Sequence, residues 1–227
     1  MGRGSPRGRP RPRVVVTAGP TREPIDAVRF LSNASTGRMG VELARDARRR
    51  GARVTLVAGP CELPPLKGIV VVRVETAREM LAATRRAVRG SDLALFAAAP
   101  ADFRPARRAR GKAPKRTFGG TLRLALNPDI SAILGRENRL GRSKGRRVHV
   151  GFALEVAGGF ARARAKLAAK RFDAIVLNGP KNVGRGGGAA WWIAPGAKPA
   201  RLPTGDKAKT ARAILDRAWP LLAARAP

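Results

Sequence analysis

The stretch that decides the fold comprises residues 14–59 and reads VVVTAGPTREPIDAVRFLSNASTGRMGVELARDARRRGARVTLVAG. It opens and closes on short apolar runs rich in valine, and residues 37–50 carry apolar side chains at helical spacing. Continuous apolar strands that are separated by a helix are typical of a parallel sheet covered on both faces. We therefore interpret this stretch as a βαβ unit.

The same alternation of apolar runs and helical patterns continues along the chain. The predicted strands comprise residues 14–17, 54–58, 69–74, 93–97, 148–154 and 174–177. The predicted helices comprise residues 37–50, 76–89, 129–136, 159–171 and 206–224. This order predicts an α/β fold with a doubly wound, mainly parallel sheet and helices on both faces, which is a Rossmann-like architecture.

Two regions interrupt this alternation. Residues 104–120 carry seven basic side chains among proline and glycine, and we predict a mobile loop or an extended strap there. Residues 179–188 predict a second loop. Asp206 is the expected N-cap of the last helix. The three tryptophans, Trp191, Trp192 and Trp219, are expected in the core.

The ends of the sequence and its single cysteine bear on organisation and location. Residues 1–12 contain mainly Gly, Pro and Arg, so we expect a disordered basic tail followed by one domain, residues 13–227. We find neither a secretory signal nor an apolar run near the roughly 18 residues that a membrane helix needs. Cys61 alone forms no disulfide framework, and we expect it to be a structural thiol. These features predict a cytoplasmic protein without a membrane partner.

The formal net charge of +32 predicts attraction to polyanions. However, the basic residues are scattered, Arg outnumbers Lys by 37 to 10, and aromatic residues make up only 4% with no Tyr. Platforms that bind single-stranded nucleic acid need aromatic side chains among the basic ones. We therefore interpret most of the charge as solvated surface, and specific nucleic-acid binding is not expected. A basic nucleic-acid-binding α/β protein with a degenerate site remains the alternative.

Several catalytic and binding motifs are missing from the sequence. It has no GxxxxGK[ST] loop, no strand–GxGxxG–helix segment and no GxSxG turn. One histidine and one cysteine cannot supply a nucleophilic triad or a usual zinc site. His149 lies in a predicted strand, and we expect it to be a packing residue. The chemistry that remains uses lysines, amides, backbone donors and a metal-bound nucleotide.

A candidate phosphate cradle lies between the first strand and the first helix. Gly19 follows the strand, and Ser35, Gly37 and Gly40 surround the start of the helix. Free N–H groups at a helix start bind phosphate. The alternative is an ordinary capped helix in which Ser35 or Thr36 is the N-cap, and the residues alone do not decide between the two.

Four of the ten lysines form two pairs. Lys112 and Lys115 lie on the predicted strap, whereas Lys166 and Lys170 are spaced i,i+4 and so share one helix face. Ammonium groups neutralise phosphates as compact charges. The alternative for both pairs is ordinary solvated lysines.

Together these segments resemble a known family. TAGPTREPIDAVRFLSNASTGRMG resembles phosphopantothenoylcysteine synthetase, the ligase domain of bacterial coenzyme A biosynthesis. The later segments AAAPADFRP, GKAPK, NPDI, VGFALE and the K-L-x-x-K pattern beginning at Lys166 are similar to its motifs and follow in the same order. The resemblance covers residues 13–220, and the domain is therefore interpreted as phosphopantothenoylcysteine synthetase-like.

The resemblance implies a two-step ligation. The 4'-phosphopantothenate carboxylate attacks the α-phosphorus of CTP, and L-cysteine then displaces CMP from the acyl-cytidylate. The NPDI segment favours CTP over ATP, and Mg²⁺ is the expected metal. The resemblance also implies a homodimer in which the partner helps to complete the site. No segment resembles the flavin-dependent decarboxylase domain, so we expect no decarboxylase role and count a separate phosphopantothenoylcysteine decarboxylase among the candidate partners.

The resemblance also assigns residues. Asn33 and Lys112 are the catalytic candidates: Asn33 bonds the substrate or acyl intermediate, and Lys112 lies on a loop that closes over the site. The nucleotide-binding candidates are Phe96, Ala97, Ala98, Asp102, Lys112, Pro128, Asp129, Ile130, Ser131, Phe152, Lys166 and Lys170. The candidates for binding the substrate and its phosphate are Gly19, Asn33, Ser35, Gly37 and Gly40. No metal ligand is assigned.

Overall fold

The computed structural model describes residues 11–118, 120–140, 147–155, 159–179, 181, 188–203 and 205–223. Most of the predicted tail, most of the predicted loop at 179–188 and the last residue of the predicted final helix lie outside them. The strands are β1 (Arg13–Ala18), β2 (Arg22–Pro24), β3 (Phe30–Ser32), β4 (Arg53–Ala58), β5 (Ile69–Arg73), β6 (Leu93–Phe96), β7 (Phe103–Pro105), β8 (Leu124–Leu126), β9 (Val148–Leu154), β10 (Ala174–Asn178), β11 (Ala190–Ile193) and β12 (Ala200–Leu202). The helices are α1 (Arg38–Arg49), α2 (Ala77–Val88), α3 (Ile130–Leu140), α4 (Gly159–Ala169), α5 (Lys207–Ala218) and α6 (Pro220–Ala223), and a 3₁₀ turn spans Lys115–Phe118.

The main sheet has the strand order β12-β11-β10-β9-β6-β1-β4-β5. The six strands from β10 to β5 run parallel, and β11 and β12 add an antiparallel edge. The chain proceeds from β1 outward through β4 and β5, and then returns to β6 on the other side of β1. This reversal between β1 and β6 is a topological switch point, where ligands bind in doubly wound sheets. The predicted Rossmann-like fold is confirmed.

Helices cover both faces of the sheet. One core cluster joins the sheet to α1 and α5, and the other joins it to α2, α3 and α4. Thr76 caps α2, because its hydroxyl accepts from Glu79 N at 3.2 Å while Glu79 Oε2 accepts from Glu75 N at 2.9 Å. Asp206 is confirmed as the cap of α5, where its Oδ1 accepts from Ala208 N at 2.8 Å.

Two sequence predictions need correction. The final helix is not continuous, since α5 ends before Trp219 and the short α6 begins at Pro220, a residue that has no N–H for the helical ladder. The region 104–120 is not entirely irregular, because it contains the end of β7 and the 3₁₀ turn. The strands β2, β3, β7 and β8 form two small antiparallel sheets that the sequence did not predict.

The expected packing residues lie in the core. His149 is 1% exposed in β9, and its ring meets Phe96 edge-on at 5.2 Å. Trp192 is buried, and Trp191 and Trp219 are partly buried against the core clusters. No helix in the described part of the chain is long and apolar enough to cross a membrane.

Candidate active site

A cleft of about 410 Å³ opens at the switch point, beyond the carboxyl ends of β1 and β6 and beside β9. Its described lining residues are Thr17, Met80, Phe96, Ala98, Pro100, Ala101, Asp102, Leu126, Asn127, Pro128, Asp129, Ile130, Ser131, Phe152, Lys170 and Phe172. Apolar side chains such as Phe96, Phe152 and Phe172 line it together with the charged groups Asp102, Asp129 and Lys170. A planar base and a polyphosphate need this combination of surfaces.

Most of the predicted nucleotide-binding residues surround this one cleft. Those that line it are Phe96, Ala98, Asp102, Pro128, Asp129, Ile130, Ser131, Phe152 and Lys170. Ala97, Lys112 and Lys166 are not among its described lining residues. Ala97 instead packs against the core cluster on the α1 side. The loop of Lys112 contacts the turn between β2 and β3.

Lys170 is held in the cleft by an acid. Its Nζ lies 2.9 Å from Asp129 Oδ2 and donates to Ser131 Oγ at 3.2 Å. Burial alone would raise the pKa of Asp129, but hydrogen bonds from Ala132 N–H and Lys170 outweigh it and hold that pKa below its ordinary value. Asp129 therefore caps α3 and keeps a lysine ammonium group aimed at the cleft.

Lys166 lies in α4, outside the lining of the cleft, and pairs with a different acid. Its Nζ donates to Glu155 Oε1 at 2.6 Å, while Arg162 Nε donates to Oε2 at 2.7 Å. The hydrogen bond from Lys166 is the main reason that the pKa of Glu155 is lowered. Lys170 N bonds Lys166 O at 2.9 Å, so the two lysines are on one continuous helical turn, as predicted.

The backbone of the candidate cradle adopts conformations that residues other than glycine rarely adopt. Gly19 and Gly37 have φ values of 78° and 72°, a conformation that favours glycine. Gly37 is the N-cap of α1, and no side chain caps this helix. The alternative in which Ser35 or Thr36 caps α1 is therefore wrong; Ser35 Oγ accepts only a long 3.4 Å bond from Gly37 N. Uncapped N–H groups at the start of α1 can donate hydrogen bonds to the oxygens of a phosphate.

Cys61 packs directly beneath the two glycines. A Cβ added to Gly37 would lie 2.6 Å from Cys61 Sγ, and one added to Gly19 would lie 2.9 Å from it. Burial raises the pKa of the Cys61 thiol, and the positive charge of Arg73 only partly opposes this. The thiol is therefore a neutral packing group under the cradle.

The remaining glycine of the cradle brings α1 onto the first strand. A Cβ on Gly40 would lie 2.5 Å from Ala18 Cβ and 2.9 Å from Thr17 O. Only glycine permits this separation, which places the start of α1 directly over the end of β1.

One loop, residues 98–101, separates the cradle from the cleft. Its backbone is bonded by four side chains, those of Thr17, Thr21, Asn33 and Asn127. Ala98 N donates to Thr17 Oγ1 at 3.1 Å, and Ala101 N donates to Thr21 Oγ1 at 3.0 Å. Asn33 Nδ2 donates to Pro100 O at 2.9 Å and more weakly to Ala99 O at 3.3 Å. Asn33 therefore connects the two halves of the site, and its amide nitrogen already has partners in the protein.

Sequence reasoning missed several polar residues that shape this site. Glu23 is 2% exposed, and its Oε1 accepts from both Thr21 Oγ1 and Ala77 N at 2.9 Å. Asn127 Nδ2 donates to Ala101 O at 2.9 Å, and its N–H donates to Asp102 O at 2.8 Å. Both residues lie inside the quoted motifs, but Glu23 bonds Ala77 across 54 positions and Asn127 bonds Ala101 across 26.

The side chains that could ligate a metal ion also bear on the chemistry of the site. In the part of the chain that the structure describes, no three His, Cys, Asp or Glu side chains gather to hold a metal ion. Asp102 nevertheless presents an exposed carboxylate to the cleft. One carboxylate with substrate phosphates is a common environment for Mg²⁺, so the residues present fit that ion.

This fold and site define a Rossmann-like α/β protein that has a candidate phosphate cradle beside a cleft at the switch point. The chain belongs to the family of the DNA/pantothenate metabolism flavoprotein C-terminal domain, whose model matches residues 10–221. The resemblance noted in the sequence is thereby confirmed.

Individual relatives agree with this family. The chain is 44% identical over 177 residues to the coenzyme A biosynthesis bifunctional protein CoaBC of Bacillus subtilis, covering 78% of this chain and 42% of that protein. It is also 44% identical over 177 residues to a cysteine/cysteine sulfinic acid decarboxylase of an unknown prokaryotic organism, covering 78% of this chain and 48% of that protein. The chain thus spans about half the length of the curated relatives it matches. Among solved structures, the C-terminal domain of CoaBC matches with a TM-score of 0.79 and 32% identity, covering 94% of this chain and 96% of that one.

Proposed function

We propose that this chain is a phosphopantothenate–cysteine ligase of coenzyme A biosynthesis that uses CTP. The single observation that carries the proposal is the junction of cradle and cleft at residues 98–101, where Asn33 connects the two. A ligase of this kind must hold an acid and a nucleotide side by side, so that the carboxylate reaches the α-phosphorus. The similarity to the CoaBC C-terminal domain supports the same activity.

In the first step, a carboxylate oxygen of 4'-phosphopantothenate attacks the α-phosphorus of CTP. A P–O bond forms to give the acyl-cytidylate, and the bond to pyrophosphate breaks. In the second step, the cysteine amine attacks the acyl carbon and CMP leaves. No protein nucleophile is required, so the residues act by positioning the reactants and by stabilising charge.

The residues divide between these tasks. We assign the substrate phosphate to the N–H groups around Gly37 and the nucleotide to the cleft above Phe96. The Lys170 ammonium group neutralises developing phosphate charge. The Asp102 carboxylate would hold Mg²⁺ together with triphosphate oxygens, and that ion would supply further charge neutralisation. Lys112 and Lys166, which are outside the cleft lining, would engage the triphosphate from its rim.

We also propose a homodimer that forms through the two small sheets. Exposed apolar side chains concentrate there: Val28, Phe30, Phe103, Leu124 and Leu126, the last of which is 72% exposed. The two sheets contact each other through β7. Leu126 also lines the cleft, so a partner that covers this surface would help to enclose the nucleotide.

The dimer proposal is tested by light scattering of the purified protein. Leu124→Glu should produce a monomer, because it places a charge on the proposed interface. Val70→Glu is the control, since Val70 is 63% exposed on β5 in the main sheet. A wild-type monomer, or a dimer that tolerates Leu124→Glu, would contradict the proposal.

The ligase proposal is tested by product analysis. CTP with 4'-phosphopantothenate should release pyrophosphate, and CMP should appear only after L-cysteine is added. ATP in place of CTP should react much more slowly. An absence of pyrophosphate, together with salt-sensitive binding to a DNA or RNA oligomer, would instead support the nucleic-acid alternative. Release of carbon dioxide from cysteine would indicate the activity named for the decarboxylase relative. The expected cytoplasmic location stays a prediction.

A further inference from the structure

The loop that carries Lys112 is anchored on both sides of that residue. Before it, Gly111 O accepts from Ala27 N at 3.1 Å. After it, Ala113 N donates to Asp26 Oδ2 at 3.3 Å, and Ala113 O accepts from Arg29 Nη2 at 2.7 Å. The anchor comes entirely from the turn between β2 and β3. Lys112 itself remains exposed.

Asp26 organises both sides of this contact. It is 2% exposed, and its Oδ1 accepts from the N–H groups of Val28 and Arg29 at 2.8 Å each. Its Oδ2 accepts from Arg29 Nε at 2.9 Å as well as from the loop. One carboxylate therefore shapes the turn, orients the Arg29 guanidinium and binds the loop. A further backbone bond, from Ala109 N to Ile25 O at 2.9 Å, extends the same contact.

The anchored segment, residues 107–116, is mostly exposed. It is rich in arginine and lysine within a chain of net charge +32, so like charges repel it from the body of the protein. Among residues 107–116, all of which the structure describes, Ala113 alone is buried, at 7% exposure. The hydrogen bonds that Ala113 makes with Asp26 and Arg29 hold the segment against this repulsion.

We propose that Asp26 and Arg29 are positioning residues that hold the Lys112 backbone in place for the nucleotide. With the neighbours on each side bonded, the ammonium group can move only through its own side-chain torsions. The backbone on both sides of Lys112 is then in place before the nucleotide binds, which lowers the entropic cost of binding. This inference rests on the proposed function, because it assumes that Lys112 contacts the triphosphate.

The anchor persists through the neutral range of pH. The pKa of Asp26 lies far below its ordinary value, mainly because of the side-chain hydrogen bonds from Arg29. Hydrogen bonds from the N–H groups of Arg29 and Val28 add to the effect. Asp26 is therefore ionised wherever the ligase would work.

A double-mutant cycle tests whether Asp26 acts through Lys112. Asp26→Asn, Lys112→Ala and the double variant are compared by kcat/KM for CTP in pyrophosphate release. Asp26→Asn should lower kcat/KM about 10- to 100-fold when Lys112 is present, since misplacing a catalytic group by about 1 Å has effects of this size. In the Lys112→Ala background it should change kcat/KM less than about twofold.

Trypsin digestion gives a second readout that does not depend on activity. Asp26→Asn should accelerate cleavage after Arg110 and Lys112, because release of the anchor exposes these bonds. Asp46→Asn is the matched control. Like Asp26, Asp46 is a buried carboxylate, 3% exposed, and it accepts from Arg49 and Arg50 at 2.8 Å each. Asp46 lies in α1, however, and these two partners lie at the end of the same helix. It should change neither the loop cleavage nor kcat/KM.

Arg29→Gln provides a variant for the case in which Asp26→Asn does not fold. The Arg29 side chain is 40% exposed, so the change leaves no buried cavity, and Asp26 keeps its hydrogen bonds from the N–H groups of Val28, Arg29 and Ala113. It should reproduce the faster loop cleavage and the coupling to Lys112.

Three outcomes would overturn the inference. Asp26→Asn and Arg29→Gln could change kcat/KM equally with and without Lys112, or leave the loop cleavage unchanged. Alternatively, Asp46→Asn could give the same results as the two anchor variants. If the wild type releases no pyrophosphate, the proposed function fails. Faster loop cleavage would then still establish the anchor, but a positioning role toward the nucleotide would be refuted.

Discussion

The cradle and the cleft share one wall, but they are held together by different interactions. In the cradle, glycine backbone approaches Ala18 and Cys61 so closely that a single methyl group would collide with them. In the cleft, ion pairs and hydrogen bonds such as Lys170–Asp129 set the positions of the functional groups. The cradle should therefore respond to changes in volume, and the cleft to changes in charge and pH.

The difference follows from what each half has to bind. A phosphate in the cradle requires backbone N–H groups, and backbone can be exposed at close range only where side chains are absent. A triphosphate in the cleft requires positive charge. That charge must be held by carboxylates before the nucleotide arrives, because flexible lysines would otherwise have to be ordered on binding.

The largest effect is expected from Gly40→Ala in the cradle. The added methyl group would lie 2.5 Å from Ala18 Cβ. To reach an ordinary contact distance, the start of α1 would have to shift by about 1 Å. We expect a loss of pyrophosphate release on the order of 100-fold or more and a destabilisation of about 1–3 kcal/mol. Gly179→Ala is the control, since its Cβ would meet nothing within 4 Å. Wild-type kinetics in Gly40→Ala would show that the cradle is not tightly packed.

A smaller effect is expected at the junction, from Asn33→Asp. The new carboxylate would face the carbonyl oxygens of Ala99 and Pro100 and would lie beside an anionic intermediate. Both repulsions oppose the second step. CMP release should therefore fall about 10- to 100-fold, and this loss should exceed the loss of pyrophosphate release. Rapid-quench measurement of each product separates the two steps. Equal losses in both steps would limit Asn33 to holding the loop, and normal condensation would refute its assigned role.

In the cleft, Lys170→Ala should raise the KM for CTP about 10-fold, because it removes a charge-assisted contact to phosphate. The variant also leaves Asp129 unpaired next to the nucleotide, which adds repulsion. Lys209→Ala is the matched control: it loses the same charge from an exposed position on α5. If both variants changed KM equally, only the net charge of the protein would matter.

The smallest effect is expected from Glu155→Gln on stability. The folded-state pKa of Glu155 is lowered, so its ion pairs stabilise the protein above the ordinary value of 4.5, and this contribution disappears as the pH falls through the lowered pKa. Lys166 and Arg162 are about half exposed, so the contribution at pH 7 should be below about 1 kcal/mol. Urea unfolding should show a larger difference between wild type and variant at pH 7 than at pH 3. A difference that grew in acid would contradict this assignment of sign.

Much of the main sheet could be predicted because its signals are local. Each of the six parallel strands is a continuous apolar run, and four of the five helices begin and end within a few residues of their predicted bounds. The strands β2, β3, β7, β8, β11 and β12 were missed because three or four residues carry too little periodicity to be recognised.

The composition of the site was partly predictable for a different reason. Nine of the predicted nucleotide-binding residues line one cleft, since the motifs that carry them follow parallel strands or precede the helix next to them. Parallel strands bring their carboxyl ends to one edge of the sheet, so motifs far apart in sequence converge there.

By itself, the sequence determined the α/β class, the family and the motifs that build the site, because these depend on local periodicity and on residue types in order. Only the tertiary structure decided which groups meet. Asn33 reaches Pro100 across 67 positions, and Asp26 reaches Ala113 across 87. Lys112 lies on a docked loop outside the cleft, whereas Lys170 lies within it. Such pairings depend on how loops from different strands pack over the end of the sheet, and no local pattern of residues encodes that arrangement.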